Sequence, residues 1–273
     1  MSTQLFHEYL KSVTDFLEKN YIDKVVSIVL FGSLVNEKKQ FKFGSTDVDL
    51  LIILKDSCPT RDCQRIKQRL AGFETKYFSY LCESELSFFS LGLQRATGMF
   101  VNFFLCRFSD FKNRNIKVFN VNPLMGRLLA PQDSLWLSLL RHHRIIWGKN
   151  VFQEWKTLPT LKTSDLIRSF LMNWILATGA LFLYPFFPPQ FAKFSMEAMK
   201  WSLFTWRNFY HQATGSLLRI ITKFVKKAST TELRALRCFI NYREDHTYNS
   251  RFPYLAWLFV FQLHRSLFRH YYG

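Results

Sequence analysis

Val29 to Leu54 reads VLFGSLVNEKKQFKFGSTDVDLLIIL, and two features of this run decide the fold. The first is a pair of short apolar segments, KVVSIVLFG and VDLLIIL, rich in β-branched residues and joined by a polar stretch from Leu34 to Thr46. Each reads as a strand buried on both faces, which requires a sheet covered by helices, and the polar stretch between them is hairpin-like. The second is the placement of Asp47 and Asp49 at the mouth of an otherwise oily strand. Side chains alternate along a strand, so these two carboxylates share one face while Val48 and Leu50 enter the opposite layer.

Two carboxylates side by side repel one another, and that cost is small only when a cation sits between them. Hard oxygen ligands in this pattern suit Mg²⁺, which is held by one or two carboxylates together with substrate phosphates. Upstream, Gly32 ends the preceding strand without a Cβ, so another group can approach its backbone closely, and Ser33 adds a hydroxyl. A glycine, a small donor and backbone N–H groups at a turn suit phosphate oxygens. If the two strands are neighbours, phosphate cradle and metal carboxylates meet at one sheet edge. Lys38, Lys39 and Lys42 lie in the intervening loop as candidates for further charge neutralisation.

Outward from this centre, Leu5, Phe6, Tyr9, Leu10, Val13, Phe16 and Leu17 recur at helical spacing and predict an opening amphipathic helix. A second helix is expected from about Thr60 to Phe78, after Pro59. ELSFFSLGL and MFVNFFLCRF read as further strands, and Ala130 to Gly148 as a helix closing this half with a glycine cap. On such a helix His142 and His143 would not share a face, which argues against a metal site there. KTLPTLKT reads as a hinge.

Beyond Ser164 the pattern is helical, with Ser164 and Asp165 suited to capping and a Ser229-x-x-Glu232 capping box. The expected layout is therefore an α/β (α+β) chain: a small mixed-sheet domain over residues 1–155, then an α-helical domain over 156–273. Phe170 to Phe187 carries no charge and touches the minimum length of a membrane span, but it contains Asn173, Gly179 and Pro185. It is read as a buried bundle helix, and no membrane partner is expected. The aromatic, cationic neighbourhood of Trp201 and Trp206 could stack a ring, but reads better as helical core.

The composition, 48% hydrophobic with 30 Phe, excludes a disordered chain. The five cysteines form no C-x-x-C pair, and the opening residues contain Glu8, Asp15 and Glu18 with no uncharged apolar core. A cytoplasmic protein with reduced thiols is the expectation. The formal net charge of +17 attracts polyanions, leaving nucleotides, nucleic acid and anionic surfaces open.

Gly32-Ser33, thirteen intervening residues and Asp47-Val48-Asp49-Leu50 together resemble the signature of the polymerase-β-like nucleotidyltransferase superfamily, including the minimal and aminoglycoside nucleotidyltransferases. The detailed match covers about 25 residues; RHHRIIWGKN also resembles the segment with which members leave the catalytic domain. The resemblance implies Mg²⁺-dependent transfer of a nucleoside monophosphate from an NTP, ATP being expected, to an acceptor hydroxyl on a small molecule, a protein or a tRNA. Asp47 and Asp49 would be the catalytic metal ligands and Gly32 and Ser33 would hold the triphosphate. The basic surface would offer contact to RNA.

The chain departs from the family at one point. A third carboxylate normally comes from a later central strand, and MFVNFFLCR offers only Asn102, with Glu83, Glu85 and Asp110 flanking. Glu197 and Glu232 of the helical half are further candidates for an acceptor-activating base. The alternative is a non-catalytic nucleotide- or RNA-binding protein on a degenerate nucleotidyltransferase fold.

Overall fold

A computed structural model describes residues 2–35, 48–77, 103–210, 217–245 and 247–272. The described chain divides into two compact units: residues 1–123 with 142–158, and residues 124–141 with 159–273.

Among the described residues the first unit is built on a four-stranded mixed sheet in the order β3-β2-β1-β4, and the strand expected at ELSFFSLGL lies outside them. Its elements are α1 (Ser2–Tyr21), β1 (Val25–Phe31), β2 (Asp49–Leu54), α2 (Thr60–Tyr77), β3 (Phe103–Arg107), α3 (Phe108–Lys112) and β4 (His143–Gly148). β1 runs antiparallel to both β2 and β4, whereas β2 and β3 are parallel. The period-two alternation along β2 sends Val48, Leu50, Ile52 and Leu54 into one core with Ile28 and Leu30 of β1. That core is closed by the apolar stripe of α1, with Phe6, Tyr9, Leu10, Val13 and Leu17, and by Ile66 and Leu70 of α2. The stripe expected for the opening helix is the one that packs.

The opposite face of the sheet is covered as well. Leu51 and Ile53 are fully buried, and Phe31, Phe104 and Phe119 follow one another at ring separations of 5.7 Å. Further along, Phe111 packs edge-on to Phe152 and stacks on Trp155. β2 is thus a strand with two buried faces, as its unbroken apolar run requires.

One expected element is replaced. The segment read as a single helix from Ala130 to Gly148 divides at His142 into α5 (Gln132–Arg141) and strand β4. Arg144-Ile145-Ile146-Trp147 is a β-branched and aromatic run, and in β4 it hydrogen-bonds along the free edge of β1, a long-range pairing that local periodicity does not report. Gly148 is not a helix cap. It sits at φ +85° against the Val26 carbonyl, with Ser27 Cα only 2.9 Å from where a Cβ would stand, so the sheet needs glycine there.

The second unit contains α4 (Pro123–Leu129), α5, α6 (Thr163–Leu183), α7 (Pro188–Phe209), α8 (Leu217–Val225), α9 (Thr230–Asp245) and α10 (Phe252–Tyr272). Its core joins Leu166, Met199, Leu203, Trp206, Phe239 and Phe259. Trp206 packs edge-on against Phe224 and is almost wholly buried, so it belongs to this core. The capping box forms as the spacing implies: Ser229 N–H donates to Glu232 Oε2 at 2.7 Å and Glu232 N–H donates back to Ser229 Oγ at 3.3 Å. At the start of α6, Asp165 rather than Ser164 does the capping, its carboxylate accepting the Lys162 and Asp133 N–H groups at 3.2 Å.

The free cysteines among the described residues are Cys58, Cys63, Cys106 and Cys238. Cys63 Sγ lies 3.8 Å from Cys58 Sγ, and burial pushes the Cys58 thiol up to about 11. It is therefore a protonated, unreactive group at neutral pH.

Candidate active site

The β1–β2 pairing sets Phe31 directly opposite Asp49, and Gly32 follows Phe31 out of the sheet. Gly32 adopts φ +79° and opens a 3₁₀ turn, Gly32–Val35, that leads the chain away. This is the left-handed region in which side chains other than glycine are strained. A second constraint acts at the same atom. A Cβ on Gly32 would overlap Asp49 Oδ2 and lie 3.2 Å from its Cγ, so the Asp49 carboxylate occupies the space a side chain would fill. The expectation that this glycine admits a close approach has a specific occupant: the strand-end carboxylate itself.

Asp47 lies outside the described residues, as do Lys38, Lys39 and Lys42; the backbone of Ser33 belongs to the 3₁₀ turn, and its side chain is outside the description. Val48 and Leu50 point into the helix-covered core, so the face of β2 that carries Asp49 is the opposite one, the side shared with Leu51 and Ile53. Among the described residues no three His, Cys, Asp or Glu side chains gather as a metal site.

On the other side of Phe31 stands His143, its partner in β4. Directly paired residues share a face, so His143, Phe31 and Asp49 form one row across the end of three strands. The His143 ring packs on Phe152 with centroids 3.8 Å apart. Sequence reasoning placed this histidine on a helix and set it aside. The β-branched Ile145-Ile146 pair two residues on is compatible with a strand, but only the pairing with β1 decides it.

The search for further carboxylates narrows. Asp110 follows the C-terminal end of β3, and because β3 runs parallel to β2 with Leu50 opposite Phe103, Asp110 sits at the far end of the sheet from Asp49. Strand rise alone separates the two ends by roughly 16 Å. Asp110 there accepts a hydrogen bond from Asn115 Nδ2 at 3.0 Å. Glu83, Glu85 and Asn102 lie outside the described residues.

In the helical unit, Glu232 is committed to its cap, and Glu197 is buried and paired with Lys200 Nζ at 2.6 Å. That unit also holds a buried polar knot that the sequence did not single out: Arg207 Nη2 donates to Ser138 Oγ at 3.2 Å, and Asn208 Nδ2 donates to Ser134 Oγ and Ser138 Oγ, each at 2.9 Å. Burial, reinforced by the neighbouring Arg141 charge, pulls Arg207 down to about 10.

No protein-family model matches the chain, and no curated protein matches it in sequence. Among solved structures, the chain is similar to the spectinomycin adenyltransferase AAD(9) from Enterococcus faecialis, solved with ATP and spectinomycin. The TM-score is 0.55 with 11% identity, covering 96% of this chain and 98% of that one. An identity this low carries the fold and nothing finer. What the similarity carries is the fold: a small mixed-sheet α/β domain followed by an α-helical domain.

Proposed function

We propose that the protein is a nucleotidyltransferase that moves a nucleoside monophosphate from an NTP, with ATP as the preferred donor, to a hydroxyl of a small-molecule acceptor. The observation that carries this reading is the Asp49 carboxylate packed over a left-handed Gly32 at the end of adjacent strands, on a fold similar over nearly its whole length to an ATP-bound adenyltransferase. A core position would not retain a carboxylate in a space where glycine is obligatory; a group that must present negative charge at a fixed point would.

In this reading the Gly32–Ser33 turn receives the β- and γ-phosphates through its backbone N–H groups, beside the Asp49 carboxylate that fills the space of the missing Cβ. Asp49, joined by Asp47, would hold Mg²⁺, whose charge would offset the negative charge on the phosphates. The acceptor oxygen attacks the α-phosphorus in line, its proton passes to a base, the bond to the bridging oxygen breaks, and pyrophosphate leaves. Rigid strand placement supplies orientation: Asp49 is fixed by its ladder partner Phe31 and by a fully buried Leu50 beside it. His143, in the same row, is a candidate to contact donor or acceptor.

Calorimetric titration of ATP with and without Mg²⁺, followed by pyrophosphate release with hydroxylated acceptors, tests the proposal. Metal-dependent binding with acceptor-dependent release supports transfer. Binding without release under any acceptor would favour the non-catalytic nucleotide-binding alternative, and absence of binding would overturn both.

A further inference from the structure

α6 is the one helix among the described residues long and apolar enough to cross a membrane by length and composition. It does not behave as a span. One stripe, with Leu166, Asn173, Leu176 and Ala180, is buried in the bundle, and Asn173 is fully enclosed there. The opposite stripe is open: Ile175 is 47% exposed, Phe182 70%, and Phe186 in the following turn 72%. α10 lies antiparallel beside it, because Trp257 Nε1 donates to Thr178 Oγ1 at 3.1 Å while Phe268 packs on Phe170. It continues the open face with Phe261, 42% exposed and stacked on Trp257. Among the described residues, these two neighbouring helices thus present one exposed apolar, aromatic face.

Between them the two helices carry one carboxylate, Asp165 at the start of α6 with Arg168 beside it, and their remaining charges are basic. Ser169 to Ala192 carries no ionisable acid or base other than Tyr184, and α10 contains no carboxylate. Arg168 stands two turns before Ile175, on its stripe, and Arg265 one turn after Phe261, on its stripe. Since Phe170 contacts both His264 and Phe268, these arginines, with Arg269, collect at the same end of the pair. An aromatic face bordered by arginines, on a chain of net charge +17, is complementary to an anionic interface. A second copy would bring the same charges against these.

We propose that the α6–α10 face docks peripherally on a bilayer containing anionic phospholipid, with Phe182, Trp257 and Phe261 at the headgroup–acyl boundary and Arg168, Arg265 and Arg269 on lipid phosphates. The occupant is a lipid surface, entered from the side; neither helix crosses it.

Co-flotation of the full chain with vesicles of phosphatidylcholine, alone or mixed with phosphatidylglycerol, tests this. Binding is expected to the mixed vesicles, to weaken as salt is raised, and to be weak on phosphatidylcholine alone. Ile175→Ser/Phe182→Ser/Phe261→Ser should reduce binding by about tenfold or more, while the variant keeps the parent's helical circular-dichroism spectrum at the assay temperature. Arg265→Glu/Arg269→Glu should reduce it by about fivefold per lost positive charge. Absence of flotation, flotation indifferent to lipid charge and salt, or a triple variant that floats like the parent would each overturn the proposal. So would a sedimentation-equilibrium dimer that the triple variant dissociates, which would make the face a self-association surface instead.

Discussion

β2 and α6 are both oily stretches, and their hydropathy alone does not distinguish them. β2 begins at a carboxylate and buries both faces, one against α1 and α2 and the other beneath an aromatic layer. α6 buries one stripe and leaves the other open over several turns. In the strand, the departure from apolar character is what the proposed function rests on, and in the helix the excess of apolar character is what the proposed docking face rests on.

The sharpest way to break this contrast is at Asp49. Asp49→Asn should lower Mg²⁺-dependent nucleotide turnover by about a thousandfold or more while the thermal midpoint holds, because it removes charge from the strand end and leaves the shape intact. Pyrophosphate release beside a melting curve reads both, and retained turnover would remove Asp49 from the proposed role. Next in size, Gly32→Ala should cost about a hundredfold in turnover, since its Cβ displaces the Asp49 carboxylate, and should add about 1–3 kcal/mol of strain from the positive φ. Activity unaffected by that change would mean the Gly32–Asp49 contact is incidental.

Packing predictions follow from the same comparison. Leu50→Ala, in the two-faced core of β2, should cost about 2–5 kcal/mol in denaturant unfolding. Ile175→Ser, on the open stripe of α6, should cost no more than about 0.5 kcal/mol. Similar losses at the two sites would show that the α6 face is covered in solution.

The smallest effect is a pH slope. His264 in α10 is fully buried, and loss of solvation holds its imidazole down at about 4, below the ordinary 6.5. The unfolded chain binds the proton more readily than the fold does, so this group's contribution is complete above pH 6.5 and is lost as the pH falls toward about 4. Thermal midpoints measured across that window should decline, and His264→Gln should flatten the part of the decline due to this residue. An identical slope in the variant would assign it to other groups.

Much of the first unit was legible residue by residue. α1 and α2 announced their stripes through spacing, and β1 and β2 through short β-branched runs; in the second unit the Ser229–Glu232 box formed as written. Gly32 and Asp49 were singled out by residue type before any geometry was known. β4 was not legible, because Arg144 to Trp147 is apolar enough for either state, and its choice rests on hydrogen bonds to β1 more than a hundred residues earlier in the chain. With it went His143, whose place beside Phe31 depends entirely on that pairing. Asp110 was misplaced as a candidate near the site for a related reason: the direction in which β3 runs beside β2 decides which end its flanking residues reach.

Local chemistry therefore settled what could be settled locally: helical and strand periods, caps, and the need for glycine at Gly32. The tertiary structure alone decided which distant strand completes the sheet, which carboxylate sits over Gly32, and which stripe of α6 meets a partner. These depend on contacts between segments far apart in the chain, and burial of a given face is a property of what packs against it, which no window of sequence contains.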